Sequence, residues 1–115
     1  MTPDTILHIT RKQDWDAAQA AGEYTAPSLA TEGFIHCSMP EQVVAVAERF
    51  YADQRGLVLL VLDSKRIRSE VRFEPGADKP DELFPHIYGP INLDAVTRVA
   101  DFAPDPSGKW ILPAL

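Results

Sequence analysis

Apolar and polar residues alternate from Thr5 to Thr10, with Leu7 and Ile9 on one side and Ile6, His8 and Thr10 on the other. A period of two marks a strand with at least one buried face. Thr10-x-x-Gln13 reads as a capping box that opens a helix through Trp15, Ala18 and Ala21, with Gly22 as its stop. The stretch from Tyr24 to Thr31 holds Pro27 and small residues, and predicts an irregular connection before a short strand from Gly33 to Ser38. Ser38-x-x-Glu41 is a second capping box, with Pro40 tolerated in the first turn. It opens the clearest helix, in which Val43, Val46, Ala47 and Phe50 share one face and Gln42, Glu48 and Arg49 lie largely off it.

Leu57 to Asp63 is apolar on both faces and predicts a central strand. Glu70 to Glu74 alternates again, with Val71 and Phe73 inward. Gly76 to Pro80 is a polar linker. Leu83 to Ile91, interrupted by Pro85, Gly89 and Pro90, predicts short extended chain and turn rather than a long strand. Asn92 is placed to cap one helical turn, before extended chain from Ala95 to Phe102. The tail 104–115 carries Pro104, Pro106, Gly108 and Pro113, with Trp110 as its anchor. Strands and helices mix without a regular βαβ rhythm, which predicts an α+β fold.

Length and charge narrow this picture. A chain of 115 residues has room for one core, so 1–115 reads as a single domain that needs no covalent staple. Cys37 is its only cysteine, which excludes an intrachain disulfide and a four-cysteine metal site. Neither basic residues nor an apolar run follow Met1, and the longest apolar run, Leu57 to Leu62, is too short for a bilayer. A cytoplasmic location without membrane contact is therefore expected. With 11 basic and 17 acidic residues the formal charge is −6, so no nonspecific nucleic-acid binding is expected. Lys65, Arg66 and Arg68 form the one basic cluster and read as a solvated turn after a strand.

The candidate chemistry lies in the histidines. Each of the three is followed two residues later by a hydroxyl: His8 by Thr10, His36 by Ser38 and His86 by Tyr88. In extended chain, residues i and i+2 share a face, so each segment presents an imidazole beside a hydroxyl and turns Ile9, Cys37 or Ile87 the other way. A lone histidine among apolar residues is more often a satisfied core or rim group. Its repetition in all three segments is what weighs towards one shared cleft. His8 and His36 are then expected on neighbouring strands that open to one concavity. Residues 86–88 would form a rigid ledge at its rim, with Tyr88 partly buried and its hydroxyl in the same concavity. Three histidines also suit a zinc site with an open position, although no short ligand spacing is present. Cys37, flanked by aliphatic residues and facing away from His36, reads as packing rather than as a nucleophile.

Ile6-Leu7-His8-Ile9-Thr10, Glu32-Gly33-Phe34-Ile35-His36-Cys37-Ser38 and Phe84-Pro85-His86-Ile87-Tyr88-Gly89-Pro90 resemble a family of small bacterial proteins, domain of unknown function 952. The likeness extends over almost the whole chain. The first two histidine segments are also similar to those of RNA 2′-phosphotransferases, within the ADP-ribosyltransferase-like fold. That resemblance implies a split mixed β-sheet with two main flanking helices and a cleft for a nicotinamide dinucleotide, so NAD is a cofactor by resemblance only. It implies that His8 hydrogen-bonds a ribose hydroxyl with Thr10 as its H-x-T partner, and that His36 and Ser38 form the second histidine strand. Position 9 is Ile where such a nicotinamide pocket usually has Gly, and no motif singles out a catalytic glutamate among Glu32, Glu70, Glu74 and Glu82. The expected function is a ligand-binding cleft of transferase ancestry formed by His8, Thr10, His36, Ser38, His86 and Tyr88, with transfer on a dinucleotide or phosphorylated nucleoside as its enzymatic reading and activity itself undecided. The alternative is a non-catalytic module for a nucleotide-like or carboxylate ligand, with a three-histidine metal site behind both.

Overall fold

The structure, a computed structural model, describes residues 4–115. Its central strand is β4 (Leu57–Asp63), paired antiparallel with β1 (Thr5–Arg11) on one side and β8 (Val96–Phe102) on the other. Both faces of β4 are covered, which is why the strand carries no polar side before Asp63. Val58, Leu60 and Leu62 pack with Ile6, Ile35, Ile87 and Ile91 on the face that also receives Ala18 of helix α1 (Lys12–Ala21). Leu57, Leu59 and Val61 pack with Leu7, Ile9, Phe102 and Trp110 on the face covered by Val43 and Ala47 of helix α3 (Val43–Phe50).

A second three-stranded sheet runs β3 (Ile35–His36), β6 (Leu83–Tyr88), β5 (Glu70–Pro75), and a two-stranded ribbon pairs β2 (Glu23–Tyr24) with β7 (Ile91–Asn92). Leu7 and Ser38 exchange two main-chain hydrogen bonds of 2.8 Å, which ties β1 to the end of the β3 segment. The α+β class and the division of the sheet hold. The pairing is not mixed, because every strand pair among the described residues is antiparallel.

Local expectations gave way in several places. Residues 24–31 are not wholly irregular: Pro27–Glu32 is a short helix, α2, with Pro27 in its first turn and Gly33 at φ 88° as its left-handed stop. Neither capping box forms. Thr10 is still paired with Val58 in the β1 ladder, so α1 begins only after Arg11. Ser38 is held by Leu7, and the Gln42 side chain instead accepts the Met39 N–H just before α3.

Leu83–Tyr88 is a six-residue strand in the middle of its sheet, despite Pro85. The N–H and C=O of a strand residue point to the same neighbour. Pro85 directs its carbonyl to the Cys37 N–H, 3.0 Å away, and without an N–H of its own it returns no bond, so the β3 ladder ends there while the pairing with β5 is untouched. Phe73 is not inward but 52% exposed, because β5 is the edge strand. No helix among the described residues is long and apolar enough to cross a membrane.

Candidate functional site

His36 and His86 stand directly opposite one another in the β3–β6 register. Paired residues of a sheet share a face, so both imidazoles project to the same side, with ring centroids 5.4 Å apart and planes at 75°. The alternation of β5 and β6 places Glu70, Arg72, Glu74, Phe84 and Tyr88 on that side too. Phe34 completes the group: it stacks on His86 at 4.2 Å and meets His36 edge-on at 4.8 Å.

Each imidazole is held by a carboxylate. Nδ1 of His86 lies 2.8 Å from Glu74 Oε1, and the Tyr88 hydroxyl donates to the same oxygen. Nε2 of His36 lies 3.0 Å from Glu32 Oε2. The two environments differ: the His86 side chain is 7% exposed and that of His36 is 51% exposed. Hydrogen bonds from Tyr88 first and His86 second hold the Glu74 carboxyl below its ordinary pKa, and the same carboxylate pushes the Tyr88 hydroxyl up. The Arg72 guanidinium sits 4.5 Å over the Tyr88 ring and keeps its own bonds with Glu70.

His36 and His86 border a cavity of about 520 Å³ with apolar walls that include Leu7, Ile9, Phe34 and Phe84. Small-molecule sites fall in the range of about 300–1,000 Å³. Ser38 and Cys37 also line it, and burial pushes the Cys37 thiol well above its ordinary value. Tyr88 is half-buried but spends its hydroxyl on Glu74 and does not line the cavity.

His8 and Thr10 are placed elsewhere. Leu7 and Ile9 face the cavity, so alternation sends His8 and Thr10 to the opposite face of β1. His8 Nδ1 lies 2.6 Å from the His36 carbonyl oxygen and its Nε2 lies 2.7 Å from Tyr24 Oη, which is in turn 2.9 Å from Thr10 Oγ1. A carbonyl only accepts, so Nδ1 carries the hydrogen. Burial lowers the His8 pKa to about 4 against the opposing effect of the His36 carbonyl bond, so near neutral pH the ring is neutral and Nε2 is a bare acceptor. Tyr24 therefore gives its one proton to Nε2, and the contact between Tyr24 and Thr10 carries the Thr10 proton.

The six residues expected in one cleft thus divide. His36, Ser38 and His86 reach the cavity, Tyr88 stands behind His86, and His8 with Thr10 forms a sealed network with Tyr24. Three partners were not assigned to the site from the sequence: Phe34 and Glu32, although both lie in the motif around His36, and Glu74. The spacing of Glu32 four residues before His36 and the alternation Glu70-x-Arg72-x-Glu74 were the available signals. The three imidazoles do not converge, and no group of three His, Cys, Asp or Glu side chains suited to a metal ion occurs among the described residues.

No functionally curated protein matches this chain. Among solved structures it is similar to CC0527 from Caulobacter crescentus, with 32% identity, 94% of each chain covered and a TM-score of 0.82 for one crystal structure. A double-mutant crystal form of CC0527 gives a TM-score of 0.81 over the same 94% of each chain, again at 32% identity. The solution NMR structure of CC0527 gives 0.78 at 32% identity, over 92% of this chain and 90% of that one. Residues 9–99 match the family model described as "Protein of unknown function (DUF952)", so the chain belongs to the DUF952 family.

Proposed function

We propose that this protein is a small-molecule-binding domain whose ligand occupies the cavity with its polar end against His36 and His86. The observation that carries this reading is the pair of carboxylate-backed imidazoles, 5.4 Å apart, on the border of a largely apolar cavity of about 520 Å³. An imidazole oriented by a carboxylate keeps one nitrogen aimed and ready to accept or return a proton. The same arrangement therefore provides a general base in His86, should the ligand be a substrate.

The transferase reading on a dinucleotide or phosphorylated nucleoside gains less support. It asks His8 to meet a ribose oxygen, whereas both His8 ring nitrogens are occupied by His36 and Tyr24. Ile9 also lines the cavity, where a nicotinamide would need close backbone approach.

The test follows the imidazole ring signals by NMR while a small-molecule panel that includes NAD and ADP-ribose is titrated in. Saturable binding is expected to move His36 and His86 and to leave His8 in place. His86→Asn should weaken a ligand so identified by about tenfold, the worth of one good hydrogen bond. Ligands that bind saturably but move His8 and Thr10 instead would overturn the proposal.

A further inference from the structure

The hydrogen-bond partners of the two imidazoles bear on which class of ligand the site accepts. Glu74 Oε1 receives two contacts, from His86 Nδ1 and from the Tyr88 hydroxyl. A carboxylate only accepts hydrogen bonds, so a neutral His86 carries its hydrogen on Nδ1 and presents Nε2 as a bare lone pair. The contact between His36 Nε2 and Glu32 works the same way and leaves Nδ1 of a neutral His36 as the bare nitrogen. Neither bare nitrogen has a hydrogen-bond partner among the described residues. Both histidines border the cavity, and each nitrogen without a partner is an acceptor for a ligand that reaches it.

The rest of the lining agrees. It contains no lysine or arginine, and its carboxylates are Glu32 and Asp78. Asp78 is bonded to Arg49, a residue outside the lining. Ser38, Tyr51 and Gln54 can donate or accept, and the remaining wall is mainly aliphatic and aromatic, with Leu7, Val46 and Phe84. An anion in this cavity would meet acceptors and carboxylates, with no fixed cation to replace its lost hydration.

We infer that the cavity selects a neutral or cationic ligand with an apolar body and an O–H or N–H donor for His36 and His86, and discriminates against anions. This rests on the cavity being the binding site. One ammonium group can bridge the pair, because it carries more than one N–H and the ring centroids are only 5.4 Å apart, whereas a hydroxyl has one proton and donates to one ring at a time.

Three probes that differ only at the end of a common indole-ethyl unit test it: tryptamine, tryptophol and indole-3-propionate. Imidazole nitrogen shifts are read by NMR on the intact protein at mildly alkaline pH. Before any probe is added, His86 should show its hydrogen on Nδ1 and His36 on Nε2. The reverse tautomers overturn the inference. Tryptamine and tryptophol should then bind with shifts at both histidines, and indole-3-propionate at least about tenfold more weakly, the equivalent of one lost donor. Equal or tighter binding of indole-3-propionate at His36 and His86 sinks the ligand class while leaving the cavity as the binding site. Saturable binding of any of these probes away from both histidines, or of none of them, removes the site and the inference together.

Discussion

Nδ1 of His8 lies 2.6 Å from the main-chain oxygen of His36, so the buried histidine of β1 holds the backbone of the strand that carries an imidazole of the cavity. The same junction is closed by the paired hydrogen bonds between Leu7 and Ser38. His8 thereby acts on the site through the position of β3, with no face of its own towards a ligand. Tyr24 and Thr10 fill its other side, which leaves the whole network without an unpaired buried side-chain polar atom among the described residues.

The titration of His8 gives the first prediction. Its folded pKa, lowered by burial to about 4 from an ordinary 6.5, means that the unfolded chain takes up the proton first as pH falls. Stability is therefore undiminished above about 6.5, declines as pH drops, and has lost the full contribution once pH is below about 4, a total of about 3 kcal/mol from this group. Urea unfolding of the protein and of His8→Gln across that window separates His8 from the carboxylates. The variant should be less stable at neutral pH yet show the shallower decline. Parallel pH profiles would remove His8 as the responsible group.

Tyr88→Phe removes the first of the two hydrogen bonds that hold the Glu74 carboxyl below its ordinary pKa. The Glu74 carboxyl should titrate higher in the variant, as read by carbon NMR of its side chain. A carboxyl lowered in the folded state favours folding above its ordinary pKa, and the benefit is lost as pH falls through the folded value. The variant should thus forfeit part of the stability that this carboxyl contributes above its ordinary pKa, and show a shallower decline as pH falls. Because Tyr88 is only half-buried, unfolding free energy at neutral pH should change by less than about 1 kcal/mol. A loss of several kcal/mol would make Tyr88 a core residue rather than a support for His86.

Cys37 is 5% exposed, and burial raises its thiol pKa. A disulfide reagent should label the native protein slowly, at a rate that rises steeply with urea as the chain opens, since the thiolate is the reacting species. Rapid labelling of the folded protein would contradict this packing. A cavity ligand is expected to slow the reaction further, because Cys37 borders the cavity.

At the corner after β6, Gly89 has φ 155°, and a methyl group there would collide with Ser69 Oγ. That hydroxyl donates to the Pro90 carbonyl at 2.6 Å and ties the corner to the chain before β5. Gly89→Ala should cost about 1–3 kcal/mol through strain and the displaced hydrogen bond. Denaturant midpoints measure it, and a change within error would show that Ser69 moves aside freely.

What the sequence alone determined is what depends on local periodicity. The apolar alternation from Thr5 to Thr10, the two-faced apolar run from Leu57 to Asp63 and the helical stripe of Val43, Val46, Ala47 and Phe50 each placed an element correctly. The i, i+2 rule likewise paired His36 with Ser38, both of which border the cavity. Alternation could not say which face of β1 meets that cavity. The packing of β1 between α1 on one side and α3 on the other sent Leu7 and Ile9 to it and turned His8 inward to Tyr24. The carboxylates were equally beyond local reading. Glu74 reaches His86 from 12 residues away, on the diagonal of a strand pair whose register only the assembled sheet fixes. Pro85, which argues locally against a central strand, is tolerated because its missing N–H only ends the β3 ladder and leaves the pairing with β5 untouched. Side-chain period is a property of each segment; which side becomes a cleft is a property of what packs against it.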